Sequence, residues 1–303
     1  MKNLLPIRVS DRHGLLCLRD GLVLVLFSKL PHAELAPHAR AFLDGYLEMV
    51  GADRLGWLFD TGEHYEPLTS KKLARLHKSL TPEMARNRRE EVFALSDAEN
   101  EPGGFHLQYE GKNLEEEAPE ERSYIEVWFP TEFAEQMGHA HFSERLRLLA
   151  GRFPFTSGYC SLAFNFENWS ELAVKDFITK TAFRHPGLDI HLTMSTSQDI
   201  GEQIRGAYWL TFLGPEVLAV LGQSPDKLRA ALGEGISVYG LDGSVVIQAG
   251  ERPEVGDTNR KENLPLVRRV AKLLEPVTAV HRTGVFILPG VDSFVAWQRR
   301  HLD

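Results

Sequence analysis

An α+β fold, with mixed and antiparallel sheets and packed helices, is what the sequence predicts, and three features carry that expectation. Gly21 to Ser28 (GLVLVLFS) is an apolar, β-branched run of the length of a buried strand. Glu34 to Val50 repeats apolar residues at three- and four-residue spacing, the period of an amphipathic helix. Phe105 to Tyr109 and Ser123 to Phe129 both alternate apolar and polar residues, which suits a hairpin of half-buried strands.

Taken in order, the strand at 21–28 is followed by the helix at 34–50, with Leu35, Ala39, Phe42, Leu43, Tyr46, Leu47 and Val50 on one face and Gly51 as its stop. A short strand is expected at Leu55 to Phe59. A helix begins after Thr69-Ser70 and ends before Pro82. The hairpin encloses a charged loop, and a helix follows at His141 to Ala150. Tyr159 to Phe166 reads as a strand, and Ser170 to Phe183 as a helix capped by Ser170 and closed by His185-Pro186-Gly187. Further on come a strand at 207–212 and helices at 215–221 and 225–232. The hairpin 236–239/245–248 turns on Asp242-Gly243, a dipeptide that favours positive φ. A helix at 264–274, a strand at 285–288 and a closing helix at 292–302 complete the reading.

The stretch from Ser123 to Gly138 has an echo from Ala207 to Gly222: an aromatic strand, a Thr-Glu or Pro-Glu start, then a short apolar helix ending in glycine. At the same offset the strand near Ala163 falls on the strand near Ile247. The expectation is one body, 1–303, with sub-units 1–185 and 186–303 and related strand-helix-helix-strand units at about 123–166 and 207–250.

The chain has 303 residues, 43% hydrophobic and 25% charged, with 17 Phe, 7 Tyr and 5 Trp, which is ordinary globular usage. Its two cysteines, Cys17 and Cys160, lie far apart among apolar neighbours, so reduced buried thiols are expected rather than a disulfide. Met1 to Pro6 leads quickly to Arg8, Asp11 and Arg12, unlike a signal peptide, and the longest apolar run falls far short of a membrane span. A cytoplasmic location follows as an expectation. The formal charge of −8 argues against nucleic acid as a partner and mildly favours a basic one.

Motifs for chemistry are scarce. Of twelve histidines, His139 and His141 are the one close pair, and at a helix start their rings diverge, so no metal site is expected. No Gly-x-Ser-x-Gly elbow and no glycine-rich phosphate loop occurs, so neither a cofactor nor a nucleophile is assigned. Carboxylates cluster in the loop after Tyr109: Glu110, then Glu115, Glu116, Glu117, Glu120 and Glu121. Such a run serves solubility, or it forms an acidic tongue for a basic groove on a partner. Gly256-Asp257-Thr258-Asn259-Arg260 reads as a pinned turn that Arg260 clamps. Trp57, Tyr65, Trp169 and Trp297 are aromatic residues open to two roles, core packing or partner anchoring.

Arg205 to Gly214 (RGAYWLTFLG), Leu218 to Gly222, Val246 to Gly250, and Gly256 to Arg260 with Leu264-Pro265 resemble the type VI immunity protein family, once described only as a bacterial domain of unknown function. The resemblance is clearest from about 205 to 276 and carries no catalytic residues. It implies a protein that binds and neutralises a cognate effector toxin delivered by a type VI secretion system. With the acidic balance and the absence of a leader, the expected toxin is a basic nuclease acting in the cytoplasm. Glu115, Glu116, Glu117, Glu120 and Glu121 are the expected contact residues. Two alternatives stay open: a hydrolase or transferase with a carboxylate-based site, and an adaptor of the secretion machinery.

Overall fold

Strand β2 (Leu16–Ser28) is the backbone of the molecule in the computed structural model, which describes residues 6–60, 64–114, 118–167, 170–280 and 287–303. Its apolar run is buried on both faces. Leu22, Leu24 and Leu26 point into one core, Val23, Val25 and Phe27 into the other. An uninterrupted apolar run is what a strand covered on two sides requires.

Among the described residues twelve strands share one sheet. The order is β11 (Ile236–Leu241), β12 (Ser244–Ala249), β10 (Leu210–Leu213), β8 (Ser157–Phe166), β2, β7 (Ser123–Phe129), β6 (His106–Gly111), β5 (Glu91–Ser96), β3 (Trp57–Phe59) and β4 (Glu66–Pro67). β1 (Arg8–Ser10) pairs with β2, and β9 (Leu188–Ile190) lies parallel to β8; the other pairings are antiparallel. Within this sheet the strands β11, β12 and β10 of 186–303 and the strands β8 to β4 of 1–185 form two contiguous blocks that meet where β10 pairs with β8, and β9 also pairs with β8. The α+β expectation holds, and the 106–111/123–129 hairpin pairs as the alternation predicts.

Helices cover both faces. Alongside α1 (His32–Val50), α4 (Thr131–Met137) and α5 (His139–Ala150) pack on the Leu22–Leu26 face through Phe42, Phe129, Phe142 and Leu146. On the opposite face α8 (Pro215–Leu221), α9 (Pro225–Leu232) and α10 (Pro265–Leu274) seal Leu213, Val245, Ile247, Ile236 and Val238. The remaining helices are α2 (Ser70–Ser79), α3 (Pro82–Asn87), α6 (Glu171–Arg184), α7 (Thr193–Ser197) and α11 (Gly290–Gln298). Among the described residues no helix is long and apolar enough to cross a membrane.

The two echoing segments have one connectivity. β7–α4–α5–β8 steps across the intervening β2, and β10–α8–α9–β11 steps across the intervening β12. Their first strands run in opposite directions and their helices lie on opposite faces, so both crossovers have the same hand, as strand twist requires. In connectivity the counterpart of β8 is therefore β11, whereas the sequence offset of the echo lands on β12.

Local expectations were met or corrected for identifiable reasons. Asp242 (φ 47°) and Gly243 (φ 82°) both take positive φ, the type I′ turn that Asp-Gly favours. Thr69 caps α2 by accepting from the Lys72 amide at 3.2 Å. Ser170 stands at the start of α6 but does not cap it; its hydroxyl donates to the Cys17 carbonyl at 2.9 Å. The strand expected at 285–288 is absent at Ile287 and Leu288, and 285–286 lie outside the described residues. The strands β1 and β9 and the helices α3 and α7 are too short for periodicity to reveal, and β5 (EVFALS) carries four apolar residues in a row with no alternation to mark it. Cys17 and Cys160 are both free and buried, and burial pushes the Cys160 thiol well up.

Candidate functional site: an acidic end of the sheet

Ser28, Ser123, Ser157, Leu213 and the Asp242-Gly243 turn lie at the same end of the sheet, fixed there by strand register. Residues 112–114 and 118–122, on either side of the β6–β7 loop, lie at this end, and two buried cations hold them. Lys112, 7% exposed, donates from Nζ to Glu121 at 3.0 Å and to the Ser197 hydroxyl at 2.9 Å, and lies 3.6 Å from Glu110. Arg122, 6% exposed, donates from Nη1 to the carbonyls of Pro119 and Glu121, both at 2.7 Å, while its amide donates to the Ser197 carbonyl at 2.7 Å. Burial lowers the Arg122 pKa, and Glu120, Glu202 and Glu216 oppose it.

Those three carboxylates come from separate segments. Glu120 packs over Gly201, and its carbonyl accepts from the Gly201 amide at 2.9 Å, so the 199–202 turn brings Asp199 and Glu202 beside the loop. Glu216, in the first turn of α8, pairs with Lys29 at the end of β2. The outcome is a surface of Glu110, Glu120, Glu121, Asp199, Glu202 and Glu216, with Lys29, Lys112 and Arg122 beneath or within it. Of the expected contact residues, Glu120 is exposed and Glu121 is half-buried on Lys112; Glu115, Glu116 and Glu117 lie outside the described residues. Sequence reasoning missed Asp199, Glu202 and Glu216, because nothing local to 199–216 announces its proximity to residue 120.

A second polar cluster sits on the sheet face beyond Trp128. Glu126, 3% exposed, accepts from the Trp128 indole N–H at 2.7 Å and from the Thr193 hydroxyl, and His191 Nε2 lies 3.8 Å away. His106 Nε2 meets the Tyr65 hydroxyl at 3.2 Å. Glu167 has its pKa raised by burial and by Glu126. Both Glu126 oxygens are thus occupied, one by Trp128 of the same strand and one by Thr193, whose bond ties β7 to α7 and orders this part of the sheet face. Among the described residues, no group of three His, Cys, Asp or Glu side chains is arranged to hold a metal ion, and His139 and His141 point apart, one half-buried edge-on to Trp209 and the other exposed beside Glu144.

Enclosure pushes the His106 pKa down to about 4 from an ordinary 6.5. The folded state thus binds this proton less readily than the unfolded chain. Stability from this group is full above about pH 6.5 and is lost as pH falls toward 4. His106→Gln is expected to flatten the acid-side slope of unfolding free energy by about 1 kcal/mol per pH unit between pH 6 and 4.5, allowing for the ring's partial contact with solvent. Urea titrations at stepped pH measure it, and parallel slopes for the two proteins would rule it out.

The other singled-out residues resolve differently. Trp297 is 1% exposed, stacked on Phe294, with the Arg300 guanidinium 3.9 Å from its ring, so it is core and no anchor. Tyr65 is half-buried on His106, Trp57 half-buried in β3, and Trp169 lies outside the described residues. In the 256–260 turn the clamp is Arg184, which donates to Asp257 at 3.2 and 2.9 Å; Arg260 is 3.8 Å away and 74% exposed.

The fold and this surface describe a sheet protein that gathers carboxylates from three separate segments at one end of its sheet. A family model described as type VI immunity for VRR-NUC (TsiV) matches residues 39–301, and the chain belongs to that family. Among solved structures, the Pseudomonas aeruginosa T6SS protein PA0821 has the same fold, at TM-score 0.80 and 20% identity, over 98% of this chain and 87% of that one. No curated protein matches the sequence.

Proposed function

We propose that this chain neutralises a cognate VRR-NUC nuclease effector in the cytoplasm by binding it, without catalysis of its own. Family membership supplies the partner class. The observation that carries the mode of action is the acidic end of the sheet, where Glu120, Glu202 and Glu216 converge over Arg122. A nuclease must present cations to the phosphates of its substrate. A fixed carboxylate surface competes for those cations, steers encounter and selects against wrong partners. The buried bonds of Lys112 and Arg122 hold the surface before the partner arrives, which reduces the ordering cost of association.

Co-expression tests the reading. A cell producing the nuclease should survive when this chain is present, and the two proteins should co-purify. Glu120→Lys with Glu202→Lys should lower the association rate roughly tenfold at low salt, with a smaller change in dissociation. Persistent toxicity without a complex would overturn the proposal. An association rate indifferent to both charge reversal and salt would remove the acidic surface from it.

A further inference from the structure

The two edges of the sheet are finished differently. At one side β4 is the two-residue Glu66–Pro67, and Pro67 has no N–H to offer, a common way to blunt an edge. At the other side β11 runs six residues, Ile236–Leu241, without a charged side chain. The type I′ turn makes Leu241 and Ser244 a hydrogen-bonded pair, so Ser237 and Tyr239 bond inward to β12 and Ile236, Val238 and Gly240 present their backbone outward. The Gly250 amide bond to the Gly235 carbonyl at 3.0 Å has the same parity. Among the described residues one group meets that outer row: Arg229 Nη2 donates to the Val238 carbonyl at 3.1 Å. Arg229 is 53% exposed and its partner Asp226 93% exposed, so this cover is easily displaced.

The geometry points to β11 as a strand-addition site for an extended segment of the nuclease effector, an inference that rests on the reading above. Charge identifies the occupant. Glu234 precedes the strand and Asp242 follows it. If two copies of this chain paired antiparallel in full overlap, Ile236 would face Gly240 and Glu234 would face Asp242, so like charges would meet at both ends. A segment from a partner with Lys or Arg at its ends meets carboxylates instead. Asp242 also lies at the same end of the sheet as Glu120 and Glu216, so an added strand extends the acidic surface into one footprint. Beside the strand, a groove of about 880 Å³ lies between α5 and the hairpin, bordered by Ser237, Tyr239, Arg147 and Gln248. It takes alternate side chains of an added strand, as strand-addition sites do.

A catalytically inactive form of the nuclease that this chain neutralises is the probe. Gly240→Pro removes an outward N–H at a position where a Cβ meets nothing within 4 Å, while Gly240→Ala keeps that N–H. Gly240→Pro should weaken binding roughly 30-fold and Gly240→Ala less than about threefold, since only the first loses a backbone bond and blocks approach. Hydrogen exchange of the unmutated chain gives a second readout: amides of Ile236, Val238 and Gly240 should slow when the nuclease is added. If the wild type binds, Gly240→Pro binds equally and these amides do not slow, strand addition is wrong and the immunity reading stands. Slowing without nuclease, with a dimer in size-exclusion chromatography, would make a second copy the occupant and overturn the inference. If the wild type binds no nuclease at all, both readings fall together.

Discussion

Replacing Arg205 by methionine is expected to cost about 3–5 kcal/mol of folding stability, the usual consequence of stranding one member of a buried ion pair. Arg205 side-chain exposure is 5% and that of Asp189 is zero. The guanidinium bonds the Asp189 carboxylate and the Ile190 carbonyl, and donates to the Tyr159 hydroxyl at 2.7 Å. Burial opposes its charge, yet Asp189, Tyr159 and Tyr208 together raise its pKa. Without it, Asp189 retains weaker contacts: the Tyr208 hydroxyl at 3.3 Å and Arg300 Nη2 at 3.4 Å. The network joins β8, β9 and the segment leading to β10, so its loss loosens the sheet near α11. Urea unfolding checks this, with a midpoint lower by roughly 1–2 M for an m-value near 3 kcal/mol/M. A shift under about 0.3 M would mean that Arg300 or water replaces the lost charge.

Phe142→Ala should destabilise by a similar amount, about 3–5 kcal/mol, through a cavity and not through charge. Phe142 is fully buried on α5. Its ring meets Phe129 edge-on at 5.1 Å, Phe133 at 6.4 Å and Trp209 in a parallel arrangement at 6.4 Å. It is thus the contact through which α5 grips both β7 and the segment entering β10, strands separated in the sheet by β2 and β8. Close-packed rings have little room to collapse into the space left behind. Phe142→Leu, which keeps most of the volume, should cost less than about 1.5 kcal/mol. Equal losses for the two variants would show that ring geometry matters more than volume. A negligible loss for alanine would show that the site relaxes.

These two expectations rest on features that differ in how far the sequence reveals them. Phe142 belongs to a periodic helical segment, and its inward orientation follows from the pattern. Arg205 sits in irregular chain before β10, where no period applies, and its partner Asp189 is not recognisable from spacing. The acidic surface is an intermediate case. The carboxylate-rich loop was visible, and Glu120 and Glu121 mark its place. That Glu202 and Glu216 join it depends on how 199–202 folds against the loop. Trp297 shows the same limit in reverse, since an aromatic residue in a terminal helix looks identical whether it faces solvent or two buried arginines.

Several local features were set by the sequence alone. Pro225 and Ser224 start α9, Asp242-Gly243 makes the type I′ turn, and the apolar run of β2 requires cover on two faces, because backbone sterics and side-chain period act within a few residues. The family resemblance was legible for the same reason, being carried by short strand, glycine and turn motifs. Strand order was decided by the tertiary structure: β2 between β7 and β8, β12 between β10 and β11, and β11 left at the edge. So were the Arg205–Asp189 pair and the convergence of three acidic segments. Each is a choice among distant partners, settled by which global packing buries both faces of the sheet while satisfying its buried charges, and no window of the sequence contains all the residues that compete.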